Sequence, residues 1–171
     1  IHPELSELVC GNEIQTVSLE NPISEEMSVM RASILPGLLN TMQYNANRQQ
    51  DRIRLFETGL VFTENTGDYE QINRIGGIIS GSRYPQNWNN TDDVNDFYDV
   101  KGDVECILRL GGDNRHFRFQ PAEFGCFHPG QCARIESKEG GLLGHLGALH
   151  PAIARKLELD TEIFMFELDL D

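Results

Sequence analysis

Residues 21–39 of this chain read NPISEEMSVMRASILPGLL. The stretch combines a turn signal at Asn21-Pro22, two glutamates that follow Ser24, and an apolar run that Pro36-Gly37 interrupts. Ser24 is a predicted cap for a short turn, because acidic residues after it favour the positive end of a helix. Before this stretch, residues 16–19 form a predicted short strand that Asn21-Pro22 ends. Backbone-constraining residues at this density indicate a segment that is held against other structure.

The run from Leu35 onward has the periodicity of an amphipathic helix. Its apolar positions follow the i, i+3, i+4, i+7 spacing, and they are Leu35, Leu38, Leu39, Met42 and Ala46. Pro36 falls in the first turn, where a missing N–H is tolerated. The opposite face carries polar, uncharged residues, namely Asn40, Gln43, Asn47 and Gln50. The sequence therefore predicts a helix with one core face and one uncharged polar face.

The rest of the chain alternates apolar runs with turn signals. Residues 52–62 and 74–80 read as two strands around a turn at 65–68, which predicts an antiparallel hairpin with Gly59 as a bulge or close-approach point. A loop at 81–95 leads to a helix from Phe97, with Asp96 as its cap and Gly111-Gly112 as its stop. The remaining predicted elements are strands at 116–120, 132–136, 142–149 and 164–171 and a short helix at 151–157. This order predicts one α+β domain over residues 1–171, an antiparallel sheet flanked by helices on one face.

Composition narrows the class of protein. The formal net charge of -13, from 27 acidic and 14 basic residues, disfavours autonomous nucleic-acid binding, because phosphate contacts need Lys and Arg. The four cysteines form no C-x-x-C pair, which is typical of reduced thiols in a cytoplasmic protein. No run approaches the roughly 20 apolar residues of a membrane span. The start, Ile1-His2-Pro3-Glu4, carries neither a signal peptide nor an initiator Met, so we expect a piece of a longer chain.

Two clusters could be drawn as metal sites, and the sequence favours neither. A zinc site could use Cys126, His128 and Cys132 with His145 or His150, but the C-x-H-x3-C spacing matches no common knuckle, and Pro129-Gly130 favours a turn between strands. A magnesium site could use the acids Asp92, Asp93, Asp96, Asp99, Asp103 and Glu105, although a solvated acidic face is the favoured interpretation. The sequence contains no G-x-S-x-G elbow and no G-x-x-x-x-G-K-[ST] loop. The residues alone therefore predict no catalytic set and no metal ligands.

Several blocks of the sequence resemble, in the same order, the beta subunit of bacterial phenylalanine–tRNA ligases. The blocks are Asn21–Ser24, Ser28–Leu39, Tyr44–Gln49, Arg54–Phe62, Asp96–Glu105, His128–Ala133, Gly147–Pro151 and Phe166–Leu170. Cys132 stands where the family pattern has a serine. The resemblance implies the catalytic-like module of that subunit, with the antiparallel sheet of class II aminoacyl-tRNA synthetases, in an enzyme of cytoplasmic protein biosynthesis.

The resemblance also implies a division of labour between subunits. The alpha subunit holds the site for ATP and phenylalanine, the two subunits form an (αβ)2 heterotetramer, and the full complex binds tRNA(Phe), so ATP and magnesium belong to the parent complex. An active class II site needs an ATP-contacting arginine after a glycine-rich strand. Here Gly147-Ala148-Leu149 leads to His150-Pro151, and no arginine follows Leu157. We therefore expect a non-catalytic scaffold that docks the alpha subunit.

The uncharged helix face is the predicted contact surface for that subunit. Asn40, Gln43, Tyr44 and Asn47 suit the centre of an interface, which is depleted in charge. A merely solvated face is the alternative interpretation. Two other functions stay open at this point: direct tRNA binding, and adenylate formation by the domain itself.

Overall fold

A computed structural model of the chain describes residues 3–11, 17–22, 28–65, 68–89, 93–110 and 117–170. Its helices are α1 (Pro3–Cys10), α2 (Leu35–Ala46), α3 (Phe97–Leu110) and α4 (Pro151–Lys156). Its strands are β1 (Ile53–Asn65), β2 (Asp68–Ser80), β3 (Arg118–Pro121), β4 (Phe127–Glu136), β5 (Leu142–Leu149) and β6 (Ile163–Asp169). Among the helices of these residues, none is long and apolar enough to cross a membrane.

The six strands form one antiparallel sheet in the order β1-β2-β6-β5-β4-β3. The last strand, β6, is inserted between β2 and β5, so it joins the β1–β2 hairpin to the β3–β4–β5 meander. The α+β class, the hairpin and the antiparallel sheet predicted from the sequence are confirmed.

Helices cover both faces of the sheet, and the prediction that they lie on one face is wrong. On one face, α2 packs against β1, β2 and β6, and side chains of α1 and α4 join the same core cluster. On the other face, α3 packs against β5 and β6. The reason lies in β6, where Phe164 and Phe166 enter the α3 core while Ile163 and Met165 enter the α2 core. A central strand buried on both sides is apolar at nearly every position rather than at alternate ones.

The three helices predicted from the sequence are confirmed as α2, α3 and α4. Leu38 and Met42 of α2 are buried, and Pro36 lies in its first turn. Asp96 caps α3, since its Oδ1 accepts the N–H groups of Tyr98 at 2.8 Å and Asp99 at 3.0 Å. The Asp99 carboxylate in turn accepts the N–H of Asp96 at 2.8 Å, which closes a reciprocal cap.

Some local predictions fail. The Pro129-Gly130 pair does not form a turn between strands but lies inside β4, where the register shifts between Phe127 and Cys132. A bulge tolerates proline because the extra residues make no ladder bond. Residues 17–19 contribute one isolated bridge, from Ser18 to Val29, rather than a strand. The predicted cap at Ser24, the stop at Gly111-Gly112, and Thr16, Asp92 and His116 lie outside the described residues.

Candidate functional site

The segment before α2 is fixed along the edge strand β1 by Arg31. Its guanidinium forms an ion pair with Glu57, and its Nε donates to the carbonyl oxygen of Leu60 at 2.7 Å. Its own carbonyl oxygen accepts the N–H of Phe62 at 2.8 Å. A Cβ at Gly59 would lie 2.0 Å from Nη2 of Arg31, so the predicted close approach at Gly59 is confirmed. Arg31 therefore sets where the chain leaves the strand edge and turns toward α2.

A nearly buried acid, Glu167 of β6, holds the start of α2. Its Oε1 accepts from the Ser33 hydroxyl at 2.9 Å and from the Ile34 N–H at 2.6 Å. Ser33 Oγ also accepts the N–H of Leu35 at 3.1 Å. Burial raises the pKa of Glu167 above its usual range, while Arg74 and these two donors act in the opposite direction. The Glu167 side chain is 14% exposed, and its hydrogen bonds fix the first turn of α2 on the sheet.

Arg74 of β2 completes this arrangement, which we call the clamp (Arg74, Glu167, Asp169, Ser33 and the backbone of residues 32–34). Its Nη1 lies 3.1 Å from Glu167 Oε2, and its Nε lies 2.6 Å from Asp169 Oδ1. Nη1 also donates to the carbonyl oxygen of Ala32 at 3.3 Å. One guanidinium thus bridges two carboxylates and the chain that leads into α2. The clamp positions α2, and its polar atoms are engaged within the protein.

The four predicted contact residues of α2 differ in their surroundings. Asn40 is exposed, and Tyr44 is 57% exposed with the Arg48 guanidinium 3.4 Å above its ring. Gln43 is half-buried, and its Nε2 donates to the carbonyl oxygen of Leu157 at 2.9 Å, which ties α2 to the end of α4. Asn47, the C-cap residue of α2, is exposed. Asn40, Tyr44 and Asn47 are therefore the members of this set that are open to a partner.

Apart from the Arg48 guanidinium over Tyr44, the outward face of α2 carries no charged side chain, although the chain has a net charge of -13. No Asp, Glu, Lys or Arg occurs from Leu35 to Ala46. The exposed positions there are Asn40, Thr41 and Tyr44. A surface helix normally places charges toward water, so an uncharged outward face is typical of a surface that another protein covers.

The candidate zinc residues do not converge. Among the described residues, no group of three His, Cys, Asp or Glu side chains is placed to hold a metal ion. Cys126 and Cys132 are buried, and desolvation raises the pKa of the Cys132 thiol to about 11. His145 instead stacks on Phe124, with 4.5 Å between the ring centroids. Thiols that stay protonated are poor metal ligands.

The described acids of the candidate magnesium cluster are largely matched by bases. Asp96 and Asp99 bind Arg83, Asp103 binds Arg54, and Glu105 binds Lys101 and Arg109. These pairs tie the loop before α3 and the helix itself to neighbouring elements. The cluster therefore acts structurally in the part of the chain that the structure describes.

A cleft of about 490 Å³ lies between α4 and the bulge of β4. Its lining includes His128 and Pro151, from the His-Pro pairs at 128–129 and 150–151. Its charged lining residues are Arg155, Asp160 and Glu162. With two carboxylates against one guanidinium, this lining does not match the charge of a polyphosphate.

Comparison with known proteins decides the family. A family model described as the phenylalanyl tRNA synthetase beta chain CLM domain matches residues 1–170. The chain belongs to this family. It is similar to phenylalanine–tRNA ligase beta subunits, with 48% identity over 170 residues to that of Pseudomonas putida (99% of this chain, 21% of that protein). The corresponding subunit of Colwellia psychrerythraea is 48% identical over 161 residues, covering 92% of this chain and 20% of that protein.

The chain therefore spans about a fifth of the length of the curated relatives it matches. The resemblance recognised in the sequence is confirmed at the level of the beta-subunit family. Sequence reasoning missed the clamp, although a signal was present. Glu167 is a charge inside the apolar run from Ile163 to Leu168, and a charge there indicates a buried residue with a partner.

Proposed function

We propose that this chain is a non-catalytic module of a phenylalanine–tRNA ligase beta subunit, and that it docks the catalytic alpha subunit through the outward face of α2. The observation that carries the proposal is the uncharged face with exposed Asn40 and Tyr44 in a chain of net charge -13. Tyrosine is enriched at the energetic centre of interfaces, and charge is depleted there. The clamp supports the same role, because it holds the face rigidly on the sheet and so lowers the entropic cost of docking.

The proposal that the module is non-catalytic draws support from the region after β5. His150 accepts the Ala152 N–H through its Nδ1 at 3.1 Å, so it satisfies the first turn of α4. Pro151 follows directly and begins the short helix α4, whose Arg155 lines the cleft beside Asp160 and Glu162. With two carboxylates next to that guanidinium, the charge of a triphosphate would stay uncompensated.

The wider assembly belongs to the same proposal. The relatives are named as beta subunits, which fits a partner alpha subunit, and we propose the (αβ)2 stoichiometry and a class II-like sheet for this module. ATP and magnesium act in the alpha subunit, tRNA(Phe) is bound by the full complex, and the complex works in the cytoplasm.

The test is capture of the alpha subunit by the full beta chain. Asn40→Asp or Tyr44→Asp places a charge at the centre of the proposed contact, with an expected cost of about 2 kcal/mol, or about 30-fold in Kd. Asn87→Asp, an exposed loop position, adds the same charge elsewhere and is expected to leave the Kd unchanged. Leu38→Asp is expected to unfold the domain because Leu38 is buried.

Two results would contradict the proposal. Wild-type capture by the Asn40→Asp and Tyr44→Asp variants, with the fold intact by circular dichroism, would show that α2 is not the docking face. Phenylalanine-dependent pyrophosphate exchange by the beta chain alone would show that the module forms an adenylate itself. A filter-binding titration with tRNA, repeated at several salt concentrations, measures any direct affinity of this chain for nucleic acid.

A further inference from the structure

The outer part of the β1–β2 hairpin is exposed on one side. On the α3 side of the sheet, α3 packs on β5 and β6 and meets the hairpin near Ile79 of β2 and Arg54 of β1. The exposed side chains there are large: Phe56 is 76% exposed, Tyr69 is 66% exposed and Leu60 is 44% exposed. We call this surface the hairpin face, and it consists of Phe56, Leu60, Phe62, Tyr69 and Ile75.

The strand register makes the hairpin face contiguous. Phe56, Leu60 and Phe62 lie on the same side of β1, because side chains alternate along a strand. Thr58 pairs with Ile75, so Ile75 is the diagonal neighbour of both Phe56 and Leu60. Phe62 pairs with Gln71, which makes Tyr69 its diagonal neighbour. Diagonal neighbours on one face lie roughly 7–8 Å apart, within reach of aromatic side chains.

The hairpin face is large for an isolated surface. From their exposed fractions, Phe56, Leu60 and Tyr69 together present roughly 350 Å² of largely apolar side-chain surface. Patches of this size on a monomer are often functional contact sites.

The face is anchored to the core beneath α3. Phe56 pairs with Gly77, and the ring of Phe166 lies where a side chain of Gly77 would be, 2.3 Å from the position of its Cβ. Phe166 itself is buried in the α3 core. The Arg54 side chain marks the boundary with α3, since its Nη2 donates to Asn95 at 2.8 Å and its Nη1 lies 3.2 Å from Asp103. The exposed side chains are therefore supported by a packed core, so docking requires little rearrangement of this surface.

The charge around the hairpin face indicates which kind of partner surface it can bind. The acid Glu64 lies on the same side of β1 as Phe56, and residues 59–73, the outer half of the hairpin, contain no Lys, Arg or His. A second copy of the chain, with its own charge of -13, would be repelled, and so would a nucleic acid. A protein surface with apolar side chains at its centre and Lys or Arg at its rim is complementary on both counts.

We propose that the hairpin face docks an apolar, basic-rimmed surface of the partner subunit, on the opposite side of the sheet from α2. The inference rests on the proposed function for the identity of that partner. It adds a second contact surface, which Phe56 anchors and to which Glu64 attracts a basic partner.

The first experiment uses the full beta chain assembled with its alpha subunit. Phe56 is replaced by the photoreactive residue p-benzoylphenylalanine, which keeps an aromatic ring at this position. The same replacement at Trp88, which is 96% exposed in the loop after β2, is the matched control. After irradiation, position 56 is expected to cross-link to an alpha-subunit peptide that carries Lys or Arg, at ten or more times the yield of position 88. A cross-link within the beta chain, a cross-link to a second beta chain, or a yield no higher than at position 88 overturns the inference.

The second experiment measures assembly. Phe56→Asp is expected to weaken the Kd for the alpha subunit at least tenfold, whereas Trp88→Asp changes it less than twofold. Glu64→Lys, on the same side of β1 as Phe56, is expected to weaken binding at low salt and to lose that effect at high salt. If Phe56→Asp does not fold, the cross-linking result decides, because the aromatic replacement conserves the side chain. A folded Phe56→Asp variant with wild-type Kd overturns the inference.

The proposals for the two docking surfaces can be refuted independently of each other. If Tyr44→Asp abolishes capture while position 56 yields no cross-link, the α2 proposal stands and the hairpin inference falls. If position 56 cross-links to the alpha subunit while the α2 variants bind normally, the reverse holds. If the assembled enzyme contains no contact with this domain at all, both are wrong.

Discussion

Removal of the clamp cation is expected to cost the domain about 3 kcal/mol of stability at pH 7. In Arg74→Met, the side chain keeps its length but loses the guanidinium that bridges Glu167 at 3.1 Å and Asp169 at 2.6 Å. Removing one partner of a buried ion pair lowers the free energy of unfolding by about 3–5 kcal/mol, because the remaining charge stays desolvated. The lower end applies here, since Arg74 is 20% exposed and water reaches the half-buried Asp169.

The pH dependence of that loss has a definite sign. Burial already raises the pKa of Glu167, and Arg74 is the main group that lowers it. Without Arg74 the native-state pKa rises further, whereas the unfolded-state pKa does not change. The native variant then binds a proton that the unfolded chain does not, so the variant regains stability relative to wild type as the pH falls from 7 toward 5. Each unit of added pKa shift corresponds to about 1.4 kcal/mol.

The assay is urea unfolding followed by circular dichroism, at pH 7 and at pH 5. The matched control is Arg134→Met, which breaks a strand ion pair with Glu136 at 2.9 Å in which half of the arginine is exposed. That control is expected to cost less than about 1 kcal/mol. Arg74→Lys should fall between the two, because a lysine keeps the charge but not the fork. The reasoning is refuted if Arg74→Met costs no more than Arg134→Met, or if its cost is equal at both pH values.

Three further outcomes follow from single residues. Gly144→Ala is expected to destabilise the domain by about 3 kcal/mol in thermal melts, because the φ of Gly144 is +153° and a Cβ there would lie 2.1 Å from the carbonyl oxygen of Glu167. Gly102→Ala in α3 is expected to stabilise it by about 0.5–1 kcal/mol in the same melts, because the added Cβ contacts nothing. Burial, with the nearby charge of Arg74, lowers the pKa of His145 below 6.5, so wild-type stability should fall as the pH drops through about 6.5, and His145→Gln should flatten that part of the stability profile. Cys106 is exposed, whereas burial raises the pKa of each of the other three cysteines; a thiol-reactive chromophore at pH 8 should therefore label Cys106 first, and fast labelling of more than one thiol in the folded chain would contradict this.

Elements with a strong local pattern were predictable. The i, i+3, i+4, i+7 spacing from Leu35 placed α2 and its core face correctly, because side chains at that spacing share one side of a helix. The cap at Asp96 was predicted for a similar reason, since a cap is a contact between residues two or three apart; its reciprocal bond from Asp99 was seen only in the structure. By contrast, α1 was missed, because eight residues give a periodic pattern little room to emerge.

Features that depend on distant pairing were not predictable. The sequence shows that β6 is a strand, but not that it enters between β2 and β5 and so needs apolar residues on both faces. For the same reason α3 was expected beside α2 rather than on the opposite side of the sheet. Gln43 was expected on the outward face, and only the packing of α4 against α2 shows that its amide binds Leu157.

The sequence by itself determined the α+β class, the amphipathic α2, the hairpin and membership of the beta-subunit family, because local periodicity and collinear motifs carry that information. The tertiary structure decided which surfaces are left open. The insertion of β6 and the position of α3 expose the hairpin face around Phe56, and the clamp at Arg74 fixes the uncharged side of α2 outward. The physical reason is that exposure belongs to the packed chain: an apolar side chain becomes a contact site only where no helix of its own domain covers it.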